Sequence, residues 1–417
     1  MAIQWFDRLP SGWISKRLKF IAPLRISRMA GSSGEPEYIG LENIESWTGR
    51  YVPETPTTVI GNDEITALGT SNCFSEGDIL FGKLRPYLAK ALLAKHDGIC
   101  STELLVLQPC AELDARFLLY ILLCPEFITL IDSSTFGAKM PRANWDFIGA
   151  AHMPLPQVAE QRRIADYLDT ETAQIDALMA EKEHMLALLE EKRAALISRA
   201  VTRGLNPNVP MKPSGLEWLG DIPAHWEVKR SKRVLKERDE RSETGNEELL
   251  TVSHITGVTK RSEKDVNMFE AETTEGYKLC SPGNLVINTL WAWMGAMGIA
   301  NENGIVSPAY HVYELSSELL PSYVDALVRM SIFAKEVTRF SKGVWSSRLR
   351  LYPEGLYEVW LPVPPLKEQK EIVTTIARER EKTAGFESAL KHSIALLKER
   401  RSALITAAVT GQLSLND

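Results

Sequence analysis

The sequence is poor in the residues that build covalent or metal-based scaffolds. Its 417 residues include five scattered cysteines and no C-x-x-C pair. The seven histidines show neither H-x-x-x-H nor H-E-x-x-H spacing. A disulfide scaffold and a thiolate zinc site are therefore excluded, and we expect no metal site and a reducing compartment.

Long apolar runs and an export signal are also missing. The chain starts Met1-Ala2-Ile3-Gln4, without the basic and then apolar pattern of a signal peptide. The longest apolar run, residues 285–300, is only 16 residues long and contains Asn288 and Thr289. That run is too short to span a bilayer. We therefore expect a cytoplasmic chain without membrane contact.

No large excess of positive charge is present. Lys and Arg together number 48 against 54 Asp and Glu, which gives a net charge of −6 and a pI of about 5.8. This balance argues mildly against a free-standing nucleic-acid binder, which usually contains a basic domain. Hydrophobic residues make up 44% of the chain, enough for the cores of two to four domains.

Sequence signatures of catalysis are absent as well. The chain contains no G-x-S-x-G, no G-x-G-x-x-G after a strand, and no Asn-Pro-Pro-aromatic motif of amine-methylating enzymes. Residues 77–83 approach a phosphate-binding P-loop, but Leu84 stands where that motif needs Ser or Thr, and Pro86 follows closely. We predict no catalytic residue and no bound cofactor in this chain.

What the chain does have is an internal duplication. Residues 191–205 reappear at 399–413 with nine of fifteen positions identical, an offset of 208. Pro154-Leu155-Pro156 and Glu160-Gln161 match Pro362-Val363-Pro364 and Glu368-Gln369 at the same offset. Weaker matches upstream, such as Gly77-Asp-Ile-Leu80 with Gly283-Asn-Leu-Val286, keep the same order. Repeats of this kind fix the architecture of a chain.

Each half ends in a long amphipathic segment. Apolar residues recur at steps of 3, 4 and 7, which predicts unbroken helices over 158–203 and 366–410, packed antiparallel against each other. Prolines precede both segments, and Gly204 and Gly411 follow them. The alternative is that the same stripes join two copies of the chain. The predicted seam residues are Ile164, Leu168, Ile175, Leu189, Leu196, Ile372, Ile376, Leu390, Leu397 and Leu404.

The part of each half before its helix is rich in glycine, proline, aromatics and short apolar runs, which predicts mixed α/β domains with short strands. The fold class is therefore α+β: two mixed domains joined by two long antiparallel helices, with a pseudo-twofold repeat. The predicted segments are a first domain at 1–155, a helix at 156–205, a linker and second domain at 206–362, and a C-terminal helix at 363–417.

Clusters of cations stand out against the acidic total. The segment Lys83-x-Arg85-Pro86-Tyr87 follows a repeated strand, and it differs from its counterpart, Thr289-Leu-Trp-Ala-Trp293. Such loops suit contacts to phosphates and base edges; the alternatives are a solvated face, and burial of the tryptophans in the core. The denser cluster at 229–238 contains acidic residues, which favours a solvated face. The candidate DNA contacts are Lys83, Arg85, Tyr87, Lys139 and Arg142, and in the second half Asn288, Trp291, Ser346, Arg348 and Arg350.

Taken together, these features resemble the specificity subunit of type I restriction-modification systems. The resemblance rests on Pro-Leu-Pro-x-x-x-Glu-Gln-x-x-Ile at 154–164 and its copy at 362–372, on the segment 214–226, and on Ala-Leu-Ile-x-x-Ala-Val-Thr closing both helices. It implies a non-catalytic subunit with two target-recognition domains that read a bipartite asymmetric target in double-stranded DNA. It further implies two copies of a methyltransferase subunit and a restriction/translocase subunit as partners, with S-adenosylmethionine, ATP and Mg on those partners only.

Two other classes of protein share some of these features. A duplicated coiled-coil adaptor would have the helices and the acidic pI, but it would not need repeated basic loops. A fused methyltransferase would need the motifs that are missing.

Overall fold

A computed structural model of the chain describes residues 3–30, 37–53, 70–264, 273–343 and 349–413. The chain divides into two compact units: a first unit of Met1–Glu183 with Lys391–Asp417, and a second unit of His184–Leu390. Each unit includes a part of both long helices. The four predicted segments are divided at the ends of the long helices, whereas the two units are divided by compactness. The boundaries of the four segments therefore stay a prediction.

The globular part of the first unit consists of short strands and short helices, followed by one long helix. Its elements are β1 Ile14–Arg17, α1 Leu18–Ile21, β2 Arg28–Ala30, β3 Tyr38–Ile39, β4 Thr70–Phe74, β5 Ile79–Gly82, β6 Ala91–Leu93, β7 Gly98–Cys100, β8 Leu104–Leu107, α2 Ala115–Leu122, α3 Pro125–Ser133, α4 Trp145–Ala150, β9 His152–Leu155 and α5 Val158–Arg203. The strands form sheets with the orders β2-β4-β7-β3, β6-β5-β8 and β1-β9. Strands β5 and β8 are buried along their whole length, so they form the centre of the core.

The second unit repeats this order of elements. Its elements are β10 Met211–Pro213, β11 Asp221–Pro223, β12 Glu227–Arg230, α6 Ser231–Val234, β13 Leu235–Arg238, β14 Leu250–Ser253, β15 Gly257–Lys260, β16 Lys278–Cys280, β17 Leu285–Asn288, β18 Met297–Ile299, β19 Gly304–Val306, β20 Tyr310–Leu315, α7 Pro321–Val328, α8 Ser331–Arg339, α9 Pro353–Glu358, β21 Trp360–Val363 and α10 Leu366–Val409. The β12-β21 pair corresponds to β1-β9, and the sheet β13-β20-β17-β18 contains the counterpart of β6-β5-β8. The duplication read from the sequence is thus a duplication of structure.

Both long helices have the predicted extent. Helix α5 is 46 residues long and α10 is 44 residues long, each unbroken. Each ends at a glycine with positive φ, +73° at Gly204 and +74° at Gly411. A residue with a side chain is strained in this conformation, so glycine is the residue that ends these helices at low cost.

The helices pack antiparallel within each unit. In the first unit Arg401 Nε of α10 donates to Asp176 Oδ1 of α5 at 2.9 Å. Leu168, nearer the start of α5, shares a core with Ile405, nearer the end of α10. In the second unit Arg193 of α5 pairs with Glu387 of α10 at 3.0 Å. The predicted fold class is confirmed, and the apolar stripes are used inside the chain.

The predicted seam residues differ in burial. Six are buried, namely Ile164, Leu168, Ile175, Ile372, Ile376 and Leu390. The other four are half-buried, namely Leu189, Leu196, Leu397 and Leu404. A seam residue is buried where a globular domain packs on the helix pair. Beside Leu168, for example, Arg116 and Tyr120 of α2 donate hydrogen bonds to Asp169 of α5 at 2.8 and 2.7 Å. Across the described ranges, no helix is long and apolar enough to cross a membrane.

We expect Leu168→Ala to destabilise the protein far more than Leu178→Ala on the same helix. Leu168 is fully buried, whereas 46% of Leu178 is exposed. A buried leucine truncated to alanine costs about 2–5 kcal/mol, while a surface change stays within about 0.5 kcal/mol. Thermal or urea unfolding of both variants measures the difference. Equal, small losses would show that this part of the seam contributes little to stability.

Candidate nucleic-acid interface

Two of the predicted cationic segments meet in the first unit. The backbone N–H of Arg85 donates to the carbonyl of Pro141 at 2.7 Å, and the N–H of Ala143 donates to the carbonyl of Lys83 at 2.9 Å. The segment after β5 therefore lies beside a segment more than fifty residues later in the chain. Lys83, Arg85 and Arg142 stand on adjacent stretches of backbone.

The later segment is a hairpin. Phe136 and Arg142 exchange two backbone hydrogen bonds of 3.1 Å, and Gly137 at φ +93° makes the turn possible. Lys139 and Met140 lie exposed at its tip. The side chain of Arg142 is engaged within the protein. Its Nε and Nη2 donate to both carboxylate oxygens of Glu103, each at 3.1 Å. This hydrogen-bonded carboxylate raises the pKa of Arg142.

The remaining cations of these two segments differ from Arg142. Among the described residues, no carboxylate lies within ion-pair distance of Lys83, Arg85 or Lys139. Tyr87, two residues after Arg85, is 45% exposed. Unpaired cations are suited to contact phosphates, and an exposed aromatic ring nearby is suited to contact bases.

The backbone of this loop is held in an unusual conformation. Arg85 and Ala89 have φ values of +50° and +46° on either side of a short 3-10 turn at Pro86–Leu88. Left-handed conformations cost free energy for residues with a side chain and concentrate at functional sites. Because a 3-10 turn follows Lys83, no helix start is available to hold phosphate in the manner of a P-loop.

The second unit repeats part of this arrangement with different side chains. The N–H of Leu351 donates to the carbonyl of Thr289 at 3.1 Å, and Lys342 and Arg350 exchange two backbone bonds of 2.9 Å. The rings of Trp291 and Trp293 stack with centroids 6.1 Å apart. Trp291 is 50% exposed, so the tryptophans at this tip are not both core residues.

One candidate contact lies in the interior of its domain. Asn288 is buried, its Nδ2 donates to Tyr310 Oη at 3.0 Å and to the Val252 carbonyl at 3.5 Å, and its Oδ1 accepts from the Leu290 N–H at 3.2 Å. These bonds use the amide to hold the turn after β17, and a base contact by Asn288 stays a prediction. Arg350 is exposed, and Ser346 and Arg348 lie outside the described residues.

Three of the six cations in the dense cluster at 229–238 form ion pairs. Lys229 contacts Glu227 at 2.9 Å and Glu318 at 2.5 Å, and Arg230 pairs with Glu358. Arg238 pairs with Glu240 at 2.5 Å. This pairing agrees with a solvated, ion-paired face rather than a phosphate-binding one.

Sequence reasoning missed the residues that hold the turns before β5 and β17. Arg25 donates to both carboxylate oxygens of Asp78, at 2.6 and 3.1 Å, and this hydrogen bond raises the pKa of Arg25. In the second unit Arg238 donates to Asn284 Oδ1 at 3.2 Å. Asp78 and Asn284 each cap the turn that leads into β5 or β17. The sequence did contain a sign of this role, because Gly77-Asp78 and Gly283-Asn284 stand at equivalent positions of the two repeats.

We expect Glu103→Gln to weaken DNA binding to the same small extent as Arg142→Ala. If Arg142 only clamps the hairpin, both changes remove the same clamp, and binding of a duplex target falls about two- to five-fold in each. Fluorescence anisotropy with a labelled duplex measures the effect. The opposite result, tighter binding by Glu103→Gln, would mean that the freed Arg142 reaches phosphate and acts as a direct contact.

The fold and the loops define a duplicated protein. Its two units present loops at equivalent positions, and the side chains of these loops differ. The family model of the type I restriction modification DNA specificity domain matches residues 37–186. The specificity subunit of type I restriction enzyme EcoDI from Escherichia coli is 25% identical over 46% of this chain and 42% of its own length. The EcoBI specificity subunit from the same species is 23% identical over 70% of this chain and 64% of its own length.

A solved structure agrees with this relationship at the level of the fold. A chain from work on complex assembly and conformational transition of the type I R-M system superposes with a TM-score of 0.69 at 18% identity, covering 98% of this chain and all of that one. The chain matches less than two thirds of the length of the EcoDI and EcoBI relatives. The chain is thus similar in sequence to type I restriction-modification specificity subunits over part of its length, and similar in fold to a solved chain over nearly all of it.

Proposed function

We propose that this chain is the DNA sequence-recognition subunit of a type I restriction-modification complex. Each unit reads one half of a bipartite, asymmetric target in double-stranded DNA. The observation that carries this proposal is the pair of equivalent loops. An equivalent backbone bond holds the first residue of each loop, from Ala143 to Lys83 in the first unit and from Leu351 to Thr289 in the second, while the side chains differ. One scaffold with two sets of tips suits two different half-sites.

The partners follow from the helices. Several large apolar side chains on α5 and α10 are 38–53% exposed: Leu178, Met185, Leu188, Phe386 and Leu396. We propose that these exposed apolar residues contact a protein partner. Two repeats offer two near-equivalent docking places, so we propose two copies of the methyltransferase subunit, joined by a restriction/translocase subunit.

The chemistry belongs to those partners. Among the described residues no group of three or more His, Cys, Asp or Glu is placed to hold a metal ion. We propose that S-adenosylmethionine, ATP and Mg bind the partner subunits and that this chain is not an enzyme. Its own contribution is the choice of sequence and the placement of the methyltransferase subunits beside the target base.

The experiment is methylation mapping. The chain is co-expressed with its methyltransferase subunits, and single-molecule sequencing of the host genome reports the methylated motif. The proposal requires one motif with two defined halves separated by a fixed number of unread base pairs. A contiguous or palindromic motif contradicts it. A chain that binds the methyltransferase subunits but does not bind DNA in their complex would instead favour the coiled-coil adaptor.

A further inference from the structure

A buried glutamine stands near the start of each long helix. Gln161 and Gln369 are 208 residues apart and both have a relative exposure of 0%. A buried amide is costly unless its donors and acceptor find partners. The partners of these two side chains therefore indicate what they hold together.

Both glutamines make the same three hydrogen bonds. Gln161 Nε2 donates to the carbonyls of Glu112 and Pro156, and its Oε1 accepts from the Asp114 N–H, all at 2.8 Å. Gln369 makes the equivalent bonds to the carbonyls of Glu318 and Pro364 and the N–H of Leu320, at 2.7, 2.8 and 2.7 Å. Each amide thus uses both donors and its acceptor.

These bonds join three parts of one unit. Pro156 and Pro364 precede the long helices, whereas Asp114 and Leu320 are the residues at which α2 and α7 begin. The amide therefore fixes the first turn of a long helix against the recognition domain that precedes it. Apolar packing alone leaves helix crossing angles scattered by about 15–20°. Three directional bonds at one point remove much of that freedom.

A small change of angle at this point has a large effect farther along. Helix α5 has 46 residues, and at ~1.5 Å per residue a tilt of about 10° at its start moves its far end by on the order of 10 Å. This sideways displacement is as large as about three base-pair steps, at ~3.4 Å each along one strand. The direction in which the helix leaves its domain therefore affects where the far end of the helix can place a recognition surface on DNA.

We propose that Gln161 and Gln369 are positioning residues that set the number of base pairs between the two half-sites. This inference rests on the proposed bipartite recognition of DNA. Neither glutamine needs to touch DNA. Each acts by fixing the exit direction of its long helix.

A second attachment should keep the units folded without the glutamine. The end of α10 closes against the first domain, where a Cβ on Gly411 would lie 2.3 Å from Pro10. The end of α5 closes against the second domain, where a Cβ on Gly204 would lie 3.3 Å from Trp226. Each domain therefore contacts one helix end besides the glutamine joint.

The test uses the complex with its methyltransferase subunits and a set of plasmids whose half-sites are one base pair closer, correct, or one base pair farther apart. We expect Gln161→Leu and Gln369→Leu each to reduce the preference for the correct spacing by about tenfold, with the bases preferred in each half-site unchanged. A purely structural role would lower methylation at all spacings alike. Gln157→Leu is the matched control, because Gln157 is exposed on the same turn, and it should leave the preference unchanged.

Folded variants that keep the wild-type spacing preference overturn the inference. If the leucine variants do not fold, Gln161→Glu decides, because the carboxylate keeps the acceptor for Asp114 and loses both donors. If that variant also fails to fold, the glutamines are structural residues and the inference falls. A wild-type complex that methylates no two-part target would refute the proposed function instead.

Discussion

Replacing Lys83 and Arg85 together by alanine is expected to relax recognition of one half-site and leave the other unchanged. The loop lies at the end of buried β5, and its backbone bonds to Pro141 and Ala143 hold it in place. Neither cation has a carboxylate partner among the described residues. Arginine is suited to a bidentate contact with guanine worth about 1–3 kcal/mol, roughly a 5- to 150-fold preference.

Methylation motifs from cells carrying wild type and the double variant provide the measurement. Degeneracy confined to one half supports base readout by this loop. Uniform weakening of all sites, with a salt slope lower by about one for each lost contact, points to phosphate contacts. An unchanged motif at full occupancy removes the loop from the interface.

The control removes the same charge from the same unit. Lys16→Ala with Arg17→Ala takes two cations from β1, where Lys16 is paired with Glu112. If recognition of DNA depends on the unpaired cations after β5, this control keeps both halves of the motif. Equal effects of the two double variants would mean that net charge, and not the position of the loop, governs binding.

The helices and the repeat could be predicted because they depend on local, periodic signals. Steps of 3, 4 and 7 residues, prolines at the start and glycines at the end place α5 and α10 to within a residue or two. The extent of burial along the seam could not be predicted. Leu168 and Leu196 fit the same periodic pattern, yet Leu168 is also covered where α2 joins the helix pair, through Arg116 and Tyr120.

The candidate site could be predicted only in part, because the role of a polar residue depends on distant partners. Arg142 and Arg85 are both candidate DNA contacts in the sequence. In the structure Arg142 is hydrogen-bonded to Glu103, whereas no carboxylate in the described ranges pairs with Arg85. Asn288 is the last residue of a buried strand, next to the counterpart of Lys83, yet its amide is hydrogen-bonded to Tyr310 and Val252. The pairing of such side chains is decided by the tertiary structure.

The isolated chain is expected to bind DNA weakly, and the complex with methyltransferase subunits at least about a hundredfold more tightly. The reason is charge. Residues 1–155 carry 14 basic and 17 acidic groups, 206–362 carry 18 and 21, and only 363–417 has a basic excess, 9 against 7. Much of the basic charge is also paired internally, as at Lys229 and Arg230. Phosphate contacts dominate affinity for DNA, and this chain offers few of them.

Anisotropy titrations over a series of salt concentrations separate the two contributions. At physiological salt the isolated chain should stay in the non-specific range, with Kd of about 10⁻⁴ to 10⁻⁶ M and a shallow dependence on salt. The complex should show a steeper slope, because each added phosphate contact contributes about −0.9 to it. In the complex, Lys83→Ala with Arg85→Ala should lower discrimination between sequences far more than it lowers the slope. Tight, sequence-specific binding by the purified chain alone would contradict this division, since the chain would then supply both the phosphate contacts and the choice of bases.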